Sequence, residues 1–317
     1  MLAVELIQPW HWAGFIIGVC FFLALDLGLL HREAREIRMR EAVAWTACWF
    51  ILAMMFAVGL LRWQNQEAAG EFVTGYIVEL ALSMDNVFVI AMIFSYFGVP
   101  RRLQHRVLFW GILGAMVMRG VMIWLGVELV ERFNWILYIL GAFLIFTGIK
   151  MSVGGEEEVH PERNPFIKLT RRFFPVTNFY DGQQFTTHKP GYFALTPLAL
   201  VLMMVETTDL IFAVDSIPAI FGVTQKPFII FTSNVFAILG LRSLYFLLAG
   251  AMSYFTYLKF GLSLVLIFIG LKMLVVVFGY HIDTLLSLII VAGIIFTSVM
   301  SSLVLSQLRD EKDASKE

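Results

Sequence analysis

Charge is what this chain has least of. Asp, Glu, Lys and Arg make up 15% of its 317 residues, where a soluble domain carries roughly 25%, so an ordinary water-soluble globular fold is excluded. Acidic and basic residues nearly cancel, with a formal net charge of −1. No basic patch stands out, and no nucleic-acid partner is expected. Cysteine is almost absent. Cys20 and Cys48 are isolated within apolar runs, which is neither a disulfide framework nor a metal motif. No cleavable leader is expected. The apolar stretch Trp10–Leu30 has no basic segment before it and Arg/Glu-rich sequence after it, so it reads as a retained helix.

Hydrophobic sequence fills the space, at 59% of the chain. Runs of about 20 apolar residues, long enough to cross a bilayer, fall at roughly 10–30, 42–62, 72–97, 107–130, 135–152, 193–221, 228–250, 254–278 and 282–305. They are continuously apolar rather than alternating, which excludes a closed barrel. The expected fold is all-α, a polytopic transmembrane helical bundle of about nine spans in a lipid bilayer. Basic residues gather in alternate connections: Arg32, Arg35, Arg38 and Arg40; then Arg101, Arg102 and Arg106; then Arg163, Lys168, Arg171, Arg172 and Lys189; then Arg309, Lys312 and Lys316. The positive-inside rule places these in the cytoplasm, with the N-terminus outside and the C-terminus cytoplasmic. The 153–192 connection is the one long soluble segment. A short amphipathic interfacial helix is expected in it around Phe166–Phe174.

Acids break the apolar pattern in two places. Val205–Pro218 (VETTDLIFAVDSIP) holds Glu206, Asp209 and Asp215. A free carboxylate at bilayer depth costs at least about 2.5–3.5 kcal/mol, so these groups need partners or ions. Glu79–Val89 (ELALSMDNVFV) echoes the stretch. Laid over Asp209–Ala219, Glu79 matches Asp209, Asp85 matches Asp215, and Asn86 aligns with Ser216. Ile112-Leu-Gly114 recurs as Ile238-Leu-Gly240, each followed by an intramembrane arginine, Arg119 and Arg242. Phe146–Met151 (FTGIKM) recurs as Phe268–Met273 (FIGLKM). The same order twice is a three-helix repeat. Three is odd, so the copies must be inverted in the membrane, and inverted-repeat transporters bind substrate between the copies near the midplane. The chain divides into 1–71 with two helices, 72–152 as the first repeat, 153–192 as a cytoplasmic loop, 193–278 as the second repeat, and 279–317 with the last helix and tail.

At 100° per residue, Glu79 and Asn86 share one helix face, as do Asp209 and Ser216; Asp85 and Asp215 sit about 100° round. Pro218 leaves the Val214 carbonyl without its helical donor, and a kink there would aim that carbonyl, Asp215 and Ser216 into one cavity. Thr74, Ser83, Thr207, Thr208 and Asn234 offer neutral oxygens. No His or Cys falls in either motif. An oxygen-only set suits Mn²⁺, Mg²⁺ or Ca²⁺ better than Zn²⁺ or Cu⁺. The candidate metal ligands are Glu79, Asp85, Asn86, Glu206, Asp209, Asp215 and Ser216, with Arg119, Asn234 and Arg242 supporting. Five carboxylates against two arginines leave about −3. A divalent ion plus one retained proton neutralises that, a physical basis for cation–proton exchange. The plainer reading of Arg119 and Arg242 is structural ion pairing. Asp26 fits either the interface or a functional role, and Lys150 and Lys272 are expected to snorkel. An intramembrane aspartyl hydrolase needs two acids sharing a proton. The residues before Asp85 (Ser-Met) and Asp215 (Ala-Val) lack the Gly-x-Gly-Asp pattern of such enzymes, so no enzyme activity and no cofactor are expected.

The stretches ELALSMDNVFV, VETTDLIFAVDSIPAIFGVTQKPFIIFTSNVFAILGLRSLYFLLAG and NWILYILGAFLIFTGIKM, with HPERNP and RRFFPVT, resemble the TerC family of bacterial integral membrane proteins over about residues 10–305. The resemblance implies a helical transporter related to the LysE superfamily, with inverted three-helix repeats. It implies metal-ion homeostasis, chiefly Mn²⁺ export, with the acids acting at Glu79, Asp85, Glu206, Asp209 and Asp215, and Asn86 and Ser216 following the pattern. The expected function is an inner-membrane Mn²⁺ exporter driven by proton exchange. The alternative is an accessory membrane partner supplying metal to exported proteins near the secretion machinery.

Overall fold

Each long apolar run forms one helix, because a backbone out of contact with water must satisfy its own N–H and C=O groups. A computed structural model describes residues 7–25, 39–153, 165–189, 192–248, 258–276, 280 and 282–314. The helices are α1 (Pro9–Leu25), α2 (Met39–Trp63), α3 (Gln66–Tyr96), α4 (Arg101–Arg132), α5 (Ile136–Val153), α6 (Pro165–Phe173), α7 (Pro197–Val223), α8 (Pro227–Leu248), α9 (Leu258–Val275) and α10 (Thr284–Ala314). Eight of them, α2–α5 and α7–α10, are long and apolar enough to cross a membrane. The first expected span is represented by α1, of 17 residues, about 25 Å at 1.5 Å per residue. The architecture is an all-α polytopic bundle. Residues 26–30 of that first span, Asp26 included, lie outside the described residues.

Local chemistry moves several boundaries. The Asn65 side chain accepts from the Ala68 N–H at 2.8 Å and caps α3, so the helix begins before its apolar run. The short helix expected around Phe166–Phe174 is present as α6 (Pro165–Phe173). A hairpin was not expected: β1 (Thr186–Lys189) pairs antiparallel with β2 (Tyr192–Leu195), with Thr186 opposite Leu195. The sixth span therefore starts at Pro197 rather than at 193. Helix α7 runs through Pro218 to Val223 without interruption. Pro218 is buried near the helix end, and packing by neighbouring helices holds the last turn in place.

The central helix is α8, buried along most of its length against α2, α3 and α4, as suits a helix that is apolar all round. The outer helices α2 and α10 expose Met55, Val58, Ile289 and Phe296, a surface suited to lipid. Helices α3, α4 and α5 touch α7, α8 and α9 in order: α3 with α7, α4 with α8, and α5 with α9. Contact at the last pair is backbone to backbone. A Cβ on Gly270 would stand 2.6 Å from the Gly141 carbonyl, and one on Gly148 2.8 Å from the Ser263 carbonyl. Small residues permit this approach.

The connections sort to two ends. Tyr180 Oη donates to the Phe97 carbonyl at 2.7 Å, and partial burial raises the Tyr180 pKa and keeps it a donor. Arg106 donates to Gln183 at 3.2 Å and lies over the Phe185 ring. The basic 97–106 and 165–196 segments therefore share one end. At the other, Lys226, between α7 and α8, pairs with Glu71 of α3 at 3.0 Å.

Candidate cation site

Seven residues are nearly two helical turns. That spacing gives α3 one polar face with Glu79 and Asn86, and α7 another with Asp209 and Ser216. The faces meet in the protein interior, where Glu79 is 1% exposed, Asn86 4%, Asp209 9% and Ser216 2%. Because α3 and α7 run in opposite directions, the tail of one motif meets the head of the other. Asn86 Nδ2 donates to Asp209 Oδ1 at 3.5 Å. Further along, a Cβ on Gly75 would strike Ile220 of α7 and lie 3.0 Å from Ser233 Oγ of α8.

Arg119 of α4 enters between these faces and is 2% exposed. Its Nε donates to Asp209 Oδ2 at 3.2 Å and its Nη2 to Asp209 Oδ1 at 2.9 Å, the two-pronged grip that a guanidinium makes on a carboxylate. Its Nη1 pairs with Glu79 and donates to Asn234 Oδ1 at 3.2 Å and Ser216 Oγ at 3.5 Å. Side chains from α3, α4, α7 and α8 thus form one buried network. It contains Glu79, Asn86, Asp209 and Ser216 of the expected ligands, with Arg119 and Asn234 of the expected supports.

The remaining expected residues lie elsewhere. Glu206 is one turn from Asp209 and within reach of its charge. The Glu206 carboxylate occupies the space beside Gly114 of α4 that a Cβ there would need. Asp85 is partly buried and feels the charge of Lys259 at the start of α9. Asp215 is partly buried between exposed Val214 and buried Ser216. Neither aspartate is among the partners of Arg119. Arg242 is buried but lines a separate cavity of about 30 Å³ with Trp45, Trp49 and Phe109, between α1, α2, α4 and α8. Among the described residues, no three His, Cys, Asp or Glu side chains are gathered to hold one metal ion. The seven expected ligands therefore do not form a single shell in this arrangement. The physical reason is Arg119, which engages both Glu79 and Asp209.

The same region carries buried oxygens without hydrogen-bond partners: Glu79 Oε2, Ser83 Oγ and Asn86 Oδ1 on α3, and Glu206 Oε2 on α7. A buried polar group left unsatisfied costs about 1–3 kcal/mol. Carboxylate, amide and hydroxyl oxygens are donors that a hard or borderline divalent cation accepts, so the residues present fit such a substrate. Sequence reading did not single out Glu71, which is 6% exposed and pairs with Lys226 at 3.0 Å; it stands eight residues before Glu79, about 80° round α3, at the edge of the apolar run.

Gly114→Ala is expected to push the Glu206 carboxylate aside at a cost of about 1–3 kcal/mol, the usual range for overpacking. Thermal unfolding in detergent should show the loss. Adding Glu206→Ala should restore most of the stability, whereas no rescue would place the strain at another contact.

Comparison with known proteins matches this architecture. Residues 64–314 match the model of the integral membrane protein TerC family. A Myxococcus xanthus protein, named uncharacterized membrane protein STKORF319, is 47% identical over 307 residues, covering 97% of this chain and 96% of its own. An Escherichia coli (strain K12) protein, with the provisional name membrane-bound redox modulator Alx, is 48% identical over 296 residues, covering 90% of this chain and 92% of its own. A Rickettsia felis membrane protein is 36% identical over 302 residues, covering 94% and 99%. No solved structure matches. The family model spans α3 to α10 and the relatives align almost end to end; the chain belongs to the TerC family of integral membrane proteins.

Proposed function

We propose that this protein exports divalent cations, chiefly Mn²⁺, across the bacterial inner membrane in exchange for protons. The cation is held between α3 and α7 by Glu79, Asn86, Asp209 and Ser216, with Glu206 beside them and Asp85 and Asp215 at the margins. One observation carries the reading: buried oxygens without donors line the contact between two acid-bearing helix faces. Depth supports it. Glu79 is 13 residues into α3 and Asp209 12 residues into α7, about 18–20 Å along each axis. That is near mid-depth for helices crossing a core of about 30 Å.

The helix contacts support inverted repeats. Besides the matched pairs, α3 touches α8 and α4 touches α7, while α3 touches α9 and α5 touches α7. A two-fold axis in the membrane plane produces this exchange of partners, and transporters of that design bind substrate near the midplane. The same architecture is the ground for relating the chain to the LysE superfamily. The basic 97–106 and 165–196 segments at one end are the cytoplasmic side by the positive-inside rule, which puts the N-terminus outside and the C-terminus in the cytoplasm. The redox label belongs to the Escherichia coli relative. Here Cys20 and Cys48 are unpaired on α1 and α2, apart from the Arg119 network.

The test is reconstitution. Purified protein in liposomes, given Mn²⁺, Mg²⁺, Ca²⁺ and Zn²⁺ in turn under a pH gradient, should carry Mn²⁺ with an opposing proton flux read by an internal pH dye. If no divalent ion crosses and pull-downs recover secretion components, the accessory-partner role replaces transport.

A further inference from the structure

We propose, resting on the cation-transport reading above, that Arg119 is a tethered counter-cation: its guanidinium takes the place between Glu79 and Asp209 that the substrate cation occupies, and the two exchange in each cycle. The contacts of Arg119 are the ones a cation would make. It holds acceptors from both acid motifs, Glu79 of α3 and Asp209 of α7, and adds neutral oxygens from Ser216 and Asn234. It does so at 2% exposure, buried from bulk solvent.

Charge sets the direction of the exchange. Glu79, Asp209 and Arg119 together leave −1. A divalent ion in place of the guanidinium leaves zero, whereas a monovalent ion gains nothing over arginine. Oxygens that Arg119 leaves unpartnered, Glu79 Oε2 and Asn86 Oδ1 among them, are further donors for an ion that accepts more ligands than a guanidinium has N–H groups to give. Among the described residues Arg119 is the guanidinium held between Glu79 and Asp209, and Arg242 lines a separate cavity.

A static brace and a tethered counter-cation differ in one respect. A brace that is removed weakens cation binding, because the acids lose their arrangement. A competitor that is removed strengthens it. A ligand that binds only after an internal occupant withdraws has its apparent Kd raised by the inverse of the competent fraction. If that fraction is about one in ten, as for a typical minor state, removing the competitor tightens binding about tenfold.

The experiment measures Mn²⁺ binding to full-length wild type, Arg119→Gln and Arg119→Lys in detergent by calorimetry, with Mn²⁺ efflux from liposomes alongside. Arg119→Gln should bind Mn²⁺ about tenfold more tightly than wild type. Its net efflux should fall, because nothing remains to displace the ion, while Mn²⁺/Mn²⁺ exchange persists. Folded Arg119→Gln that binds Mn²⁺ no better than wild type overturns the proposal. Should Arg119→Gln fail to fold, Arg119→Lys decides: its compact ammonium grips Asp209 less well, so tighter binding supports the exchange and unchanged binding overturns it. Absence of Mn²⁺ binding in all three folded proteins overturns the cation reading itself, not merely the role of Arg119.

Discussion

Asp209→Ala should destabilise the protein by about 3–5 kcal/mol, the cost of breaking a buried ion pair by removing one partner. Two of the N–H groups of Arg119 lose their acceptors at once, and the Asn86 amide loses its partner as well. The guanidinium keeps its pairing with Glu79 and two neutral oxygens, so the loss comes from its two N–H groups left without acceptors, about 1–3 kcal/mol for each unsatisfied group. Asp209→Asn keeps one acceptor and should cost less, about 1–3 kcal/mol. Replacing both partners, as in Asp209→Leu with Arg119→Met, should recover much of the loss, since well-packed apolar pairs often match buried ion pairs in stability. Thermal unfolding in detergent checks the series. A loss below about 1 kcal/mol for Asp209→Ala is typical of a solvated pair and would show that water reaches Arg119.

Gly270→Ala should be the most damaging single methyl addition among the helix contacts. The new Cβ would stand 2.6 Å from the Gly141 carbonyl oxygen, 2.8 Å from Ile145 Cγ1 and 3.1 Å from the Ile145 nitrogen. Two of these atoms are backbone, so no rotamer change relieves the overlap and α5 and α9 must separate. We expect a loss of about 3 kcal/mol or more, at the top of the overpacking range. Gly59→Ala on α2 is the control. Nothing lies within 4 Å of a Cβ there, so the change should be neutral or favourable by up to about 1 kcal/mol through helix propensity. Equal melting temperatures for the two variants would contradict the close α5–α9 approach.

Much of this was legible in the amino-acid pattern, and the exceptions have physical causes. Span lengths follow from bilayer thickness, so the apolar runs located the long helices, with ends off by up to six residues at the starts of α3 and α4 and nine at the end of α10. The seven-residue spacing placed Glu79 with Asn86, and Asp209 with Ser216, on the faces that meet. The roles of Arg119 and Arg242 were not separable. Both follow an Ile-Leu-Gly in an apolar helix, but one stands five residues after its glycine and the other two. A difference of three residues shifts a side chain by about 4.5 Å along the axis and about 60° around it, enough to direct one into the acid faces and the other into a cavity beside α1 and α2. The hairpin escaped because hydropathy averages over a long window. Its signal was the Pro190-Gly191 dipeptide between Thr-rich and aromatic flanks, a turn pattern between strand formers. Asp85 and Asp215, expected as ligands from their repeat match, are offset by about 100° from Asn86 and Ser216, which sets them beside the shared face rather than on it.

The claim that Glu79 and Asp209 jointly carry the cation is tested most directly by ⁵⁴Mn²⁺ flux into liposomes holding wild type or the Glu79→Gln/Asp209→Asn double variant, each shown to be folded by circular dichroism. The account predicts saturable flux for wild type and none above protein-free vesicles for the double variant. Wild-type flux in the double variant would contradict it.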